Sequence, residues 1–109
     1  MTDLAPIHDD EVLNLFSRAL KSKLGEHLKR LILFGSRARG DSRPDSDYDC
    51  LAIVDAVSPE LRDAIYDIGG DFLYEHGALF SVIPVTEERF KRQTVNPLFV
   101  NVRREGVSL

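Results

Sequence analysis

Two short apolar runs, Leu31-Ile32-Leu33-Phe34 and Tyr48 to Val54, are separated by a polar stretch from Arg37 to Ser46 that contains Gly40 and Pro44. Each run has the length and the continuous hydrophobicity of a buried strand rather than the spacing of a helix. Two such strands joined by a polar loop commit the chain to a sheet, and a sheet buried on its faces must be covered by other elements.

The flanking sequence supplies that cover. Leu13, Phe16, Leu20, Leu24 and Leu28 recur at helical spacing, which predicts one amphipathic helix from Asp9 to about Lys29. Asp9, Asp10 and Glu11 stand at its start, where the helix dipole favours negative charge. Ser58-Pro59-Glu60 reads as a second helix start, with Leu61, Ile65, Ile68 and Phe72 as its buried face and an end near Gly77. A third strand is predicted from Leu79 to Val85, with Pro84 pointing to an edge position or the strand's end. Thr86-Glu87-Glu88 opens a short helix to about Arg92, and Asn96-Pro97 opens a last one that stops around Gly106. The order is helix, strand, loop, strand, helix, strand, helix, helix. The expected class is α/β (α+β), a small sheet flanked by helices, forming a single domain over residues 1–109.

Composition narrows the function. Fourteen Lys and Arg against eighteen Asp and Glu leave a net charge of −4, which argues against direct nucleic-acid binding through bulk positive charge. No apolar run is long enough to cross a bilayer, and Met1–Asp10 is polar and acidic rather than signal-like. Cys50 is the only cysteine, so neither an internal disulfide nor a structural zinc site is expected, and a cytoplasmic setting follows. His8, His27 and His76 show no ligand spacing and are expected in surface or capping roles. Phe99, Val102, Val107 and Leu109 either close the core or form a patch for a partner, as a homo- or hetero-oligomer.

The chemistry concentrates between Phe34 and Asp49. A P-loop is excluded because Asp41 stands where its lysine must be. A calcium loop starting at Asp45 fails because Cys50 replaces the required glycine and Ala56 the bidentate glutamate. What remains is coherent. Gly35 ends a strand without a side chain, so a phosphate can approach the backbone closely. Ser36 stands at the start of a predicted helical turn, where free N–H groups and its hydroxyl favour an anion. Arg37, Arg39 and Arg43 add positive charge, with Arg39 the preferred phosphate contact. Asp47 and Asp49 are two apart in extended chain, so their carboxylates leave one face. Such a pair suits Mg²⁺, which takes one or two carboxylates and fills its shell with water and phosphate oxygens. A triphosphate corner beside a metal corner makes a phosphoryl- or nucleotidyl-transfer site.

Gly35-Ser36, ten intervening residues, then Asp47-Tyr48-Asp49 resembles the motif of DNA-polymerase-β-type nucleotidyltransferases, and in particular the minimal nucleotidyltransferases (MNT). The resemblance covers nearly the whole chain. It implies the small mixed sheet of that superfamily, with Gly35 and Ser36 holding the nucleotide phosphates, while Arg37 or Arg39 would assist. Asp47 and Asp49 would be the catalytic, Mg²⁺-binding pair, and ATP the nucleotide. Relatives of this size pair with HEPN-domain toxins, and some silence the toxin as antitoxins by transferring AMP to a tyrosine.

One departure stands out. The superfamily places a third carboxylate on a later strand, whereas the stretch Ala78 to Val85 contains no acid and offers only Ser81. Asp55 lies ~20 Å from Asp49 along the strand and cannot substitute. Asp71 and Glu75 belong to the preceding helix. The alternative to a protein-modifying transferase is therefore a nucleotidyltransferase-fold binding module that neutralises a toxin by occlusion. Transfer to a small molecule is disfavoured, because 109 residues are not expected to supply a separate acceptor pocket.

Overall fold

In a computed structural model the described residues run from 10 to 109, so Asp9 and His8 lie outside them. Strands β1 (Leu28–Phe34), β2 (Tyr48–Val54), β3 (Phe80–Thr86) and β4 (Val107–Ser108) form one mixed sheet in the order β3-β2-β1-β4. β1 runs antiparallel to both β2 and β4, and β2 runs parallel to β3. Helices α1 (Glu11–Leu24) and α3 (Pro59–His76) cover one face, and α4 (Glu87–Arg92) and α5 (Pro97–Glu105) the other.

Alternation along the strands divides the core. Leu31, Leu33, Tyr48, Cys50, Ala52 and Val54 point toward α1 and α3, while Ile32, Leu51 and Ile53 point toward α4 and α5 with Val85, Phe90, Phe99 and Val102. On the first face Phe16 stacks on Phe80 with ring centroids 3.8 Å apart and meets Phe72 edge-on at 5.3 Å. Phe99 and Val102 are 1% and 2% exposed, so they close the core rather than form a patch.

The first helix is shorter than its apolar spacing predicts. It stops at Leu24, a 3₁₀ turn spans Gly25–His27, and Leu28 already belongs to β1. Gly25 takes φ +56, a left-handed conformation that ends a helix whatever hydrophobic residue follows at the next helical step. The later boundaries match closely: Ser58 caps α3 through its side chain onto the Leu61 N–H at 3.1 Å, and Pro59 occupies the first turn. β3 is an edge strand, which accommodates Pro84. β4, only two residues long, has no sequence signal. Among the described residues no helix is long and apolar enough to cross a membrane.

The stacking of Phe16 between elements far apart in sequence predicts that Phe16→Ala destabilises the chain by ~3–5 kcal/mol. Chemical denaturation of the two proteins, compared at constant m-value, checks this.

Candidate nucleotide and metal site

The antiparallel register between β1 and β2 sets Phe34 opposite Asp49, which brings the end of one strand to the start of the other. Gly35 follows directly and takes φ +79. A β-carbon there would lie 2.6 Å from Asp49 Oδ2, so only glycine lets the carboxylate come this close. Ser36–Arg39 then form a single helical turn, α2, closed at Gly40. The Ala38 and Arg39 N–H groups bond the Gly35 carbonyl at 3.1 and 3.0 Å. The amides of Ser36 and Arg37, ahead of them, are the turn's unsatisfied donors.

Asp47 ends the loop and is exposed, and Asp49 stands two residues on, half-buried at the start of β2. Neither carboxylate receives a side-chain hydrogen bond among the described residues. Burial, then the neighbouring charge of Asp47, pushes the Asp49 carboxyl above its ordinary range, with Arg39 opposing and Glu105 adding to the rise. Two carboxylates that repel each other, and to which no side chain among the described residues donates, could hold a cation. No group of three or more His, Cys, Asp or Glu among the described residues is placed to hold a metal. A pair of carboxylates is the donor set that Mg²⁺ takes when phosphate and water complete its shell.

The arginines divide their work. Arg37 donates through Nε and Nη2 to the Ser46 carbonyl at 3.1 and 2.8 Å and through Nη2 to the Pro44 carbonyl at 3.1 Å. Its guanidinium lies 4.1 Å from the centre of the Tyr48 ring. Tyr48 donates in turn to Asp10 Oδ2 at 2.7 Å, and Asp10 Oδ1 caps α1 on the Leu13 N–H at 3.0 Å. The Arg37 guanidinium thus braces the loop that delivers Asp47. Arg39 instead faces the site's charges, donating through Nε to Asp41 Oδ2 at 3.2 Å and through Nη1 to Glu105 Oε2 at 3.1 Å. Arg43 is exposed, its amide bonded to Ser46 Oγ at 2.8 Å.

Other candidates are placed outside the corner. Asp55 pairs with His27 at 2.9 Å at the far end of β2. Asp71 and Glu75 are exposed on α3, which packs on the opposite face of the sheet from Asp49. Ser81 is the in-register neighbour of Asp49 on β3, so the strand that lacks an acid does lie beside the pair.

Glu105 was not legible as part of this site. The antiparallel pairing of β4 on β1 sets Leu33 opposite Val107, which brings the C-terminal end of α5 next to Gly35. Glu105 Oε2 accepts the Gly35 N–H at 2.7 Å, and the side chain is 15% exposed. Gly106, next in the chain, is packed so closely that a β-carbon there would run into the Val102 carbonyl and the Ile32 side chain.

Two outcomes are expected from this geometry. Gly35→Ala, strained in φ and driven into Asp49, should lose stability by ~1–3 kcal/mol and displace the Asp49 carboxylate, as thermal unfolding and the Asp49 side-chain carbon shift would show. The Asp49 carboxyl should titrate above the ordinary carboxylate range in NMR and move back down in Asp47→Asn, since removing a neighbouring negative charge eases ionisation.

The sequence model of the nucleotidyltransferase domain family matches residues 13–103. MJ0604 of Methanocaldococcus jannaschii, a candidate protein adenylyltransferase, is 33% identical over 100 residues, covering 92% of this chain and 96% of the relative. Among solved structures, a toxin–antitoxin complex with AMP-PNP contains a chain that superposes with a TM-score of 0.62 at 15% identity, covering 87% of this chain and 69% of that chain. A chain of a toxin–antitoxin MntA-HpeT variant superposes with a TM-score of 0.61 at 13% identity, with the same coverage. At those identities the structural likeness is one of fold, while the match of the family model across most of the chain identifies the protein as a member of the nucleotidyltransferase domain family.

Proposed function

We propose that the chain is a protein adenylyltransferase that moves AMP from ATP onto a hydroxyl of a partner protein and acts as the antitoxin of a HEPN-domain toxin. The observation that carries this reading is the pair Asp47 and Asp49, to which no side chain among the described residues donates, at a corner that Gly35 keeps open to Asp49 and that leads directly into the turn at Ser36. Relatedness to a candidate protein adenylyltransferase supports the acceptor class, and the fold shared with chains of toxin–antitoxin complexes supports the partner.

In this reading Asp47 and Asp49 hold Mg²⁺, which when bound polarises the α-phosphate and offsets charge on the leaving pyrophosphate. Ser36, its amide and that of Arg37, together with Arg39, bind the phosphates. Arg37 acts one step back, by fixing the loop through its bonds to the Ser46 and Pro44 carbonyls. Catalysis rests on positioning and charge neutralisation.

A second reading has a specific observation in its favour. Ser81, not a carboxylate, is the β3 neighbour of Asp49, and a serine is a poor base, so the fold would then neutralise its toxin by binding alone. Incubation of the purified chain with its HEPN-domain partner, ATP and Mg²⁺ separates the two. Transfer adds the mass of one AMP to the partner, and occlusion gives a tight complex of unchanged mass. Asp47→Asn combined with Asp49→Asn should cut Mg²⁺-dependent transfer on the order of a thousandfold and leave the circular dichroism spectrum unaltered. Labelling at the wild-type rate would refute the site assignment.

A further inference from the structure

Glu105 reaches the site from the C-terminal end of α5, 70 positions from Gly35 in sequence. Its Oε2 accepts two hydrogen bonds at once, from the Gly35 N–H at 2.7 Å and from Arg39 Nη1 at 3.1 Å. The second carboxylate on the same guanidinium, Asp41, takes Nε at 3.2 Å. Held from two sides, Arg39 keeps three of its five N–H donors uncommitted to those acids.

We propose that Glu105 is a positioning residue of the nucleotide site: it fixes the Gly35 corner through the backbone and, with Asp41, holds Arg39 in one orientation with donors left for a phosphate. Three features support a built arrangement rather than a chance surface pair. Glu105 is 15% exposed, it spends the same oxygen on a backbone amide and a cation, and its placement is set by two independent anchors. One anchor is the pairing of β4 with β1. The other is the seating of α5 on α4, where Arg103 donates to the Phe90 carbonyl and its guanidinium lies 4.1 Å from the Phe90 ring centre. Preorganising Arg39 removes side-chain entropy that phosphate binding would otherwise have to freeze out.

The opposite sign is physically conceivable. A carboxylate resting on the donors that a phosphate would use is a competitor, and its removal would then tighten nucleotide binding. The two signs make the test decisive. Glu105→Ala should weaken binding of Mg²⁺·AMP-PNP about tenfold in calorimetry, the size expected for loss of a charge-assisted contact. Glu105→Gln, whose amide oxygen can still accept from Gly35 and Arg39, should recover most of that loss. In an Arg39→Ala background Glu105→Ala should add less than it does alone, since part of its effect runs through that guanidinium. Ile53→Val, a core change on the same face of the sheet, controls for mild destabilisation and should leave the affinity unchanged. Unchanged or tighter binding in Glu105→Ala overturns the proposal, as does equal weakening in Glu105→Ala and Glu105→Gln.

The nucleotide readout rests on the transferase reading, so a second measurement stands apart from it. In the free protein, Glu105→Ala should speed hydrogen exchange of the Gly35 amide at least about tenfold relative to Leu33 and shift the Arg39 Nε–H resonance. A wild-type chain that binds no nucleotide would refute the transferase reading. Unchanged exchange and resonance would refute the role given to Glu105.

Discussion

The contact on which the site depends is the approach of Asp49 to the bare α-carbon of Gly35, so close that a β-carbon would sit 2.6 Å from Oδ2. It exists because β1 and β2 are paired in one register, with Phe34 opposite Asp49. That register is hard to change. β2 is apolar on both faces from Cys50 to Val54 and buried throughout, and a slip of one residue would exchange its neighbours on β1 and turn Asp49 toward the core. The hydrophobic effect that assembles the sheet thus also holds a carboxylate where its own charge is disfavoured. The raised titration of Asp49 is the local cost, and the surrounding fold sustains it.

The loop between the two strands is held from outside itself. Asp10 caps α1 with one oxygen and accepts from Tyr48 with the other; Tyr48 lies under the Arg37 guanidinium, and Arg37 bonds the Ser46 and Pro44 carbonyls. This chain of contacts joins the first helix to the residue immediately before Asp47. Burial and the bond to Asp10 push the Tyr48 phenol up to about 12, so it remains a neutral donor throughout the physiological range. A loop rich in polar residues gains one arrangement in this way, without needing an apolar core of its own.

Local signals in the sequence were enough for α3, β2 and the turn at Ser36, because caps, apolar alternation and glycines act over a few residues. Leu28 was misassigned to a helix because it falls four residues after Leu24, and spacing alone does not register that Gly25 has reversed the backbone between them. Asp47, Asp49, Gly35 and Ser36 were legible as a group, since a strand, a loop and a strand bring them together with little help. Arg39 is preferred over Arg37 as the phosphate contact, but the bracing role of Arg37 had no local signal, since it comes from the Tyr48 ring and the loop carbonyls. Glu105 was invisible for a different reason. It is one acid at a helix end, and its meaning comes from two residues of β4 whose pairing is wholly non-local.

Glu105 also changes how the missing acid on β3 weighs in the proposed reaction. Asp47, Asp49 and Glu105 bring three negative charges to the corner and Arg39 one positive, with Asp41 a further exposed acid paired to the same Arg39. A divalent cation on the aspartate pair would balance that excess, whereas a further acid at the position of Ser81 would deepen it. Glu105 commits its Oε2 to the Gly35 N–H and to Arg39. Its charge still acts on Asp49 through space, disfavouring the bare carboxylate and so favouring any positive partner there, proton or cation. In the proposed reaction such a site would have less need of a third carboxylate to attract a metal, and the consequence of Ser81 would fall on activation of the attacking hydroxyl.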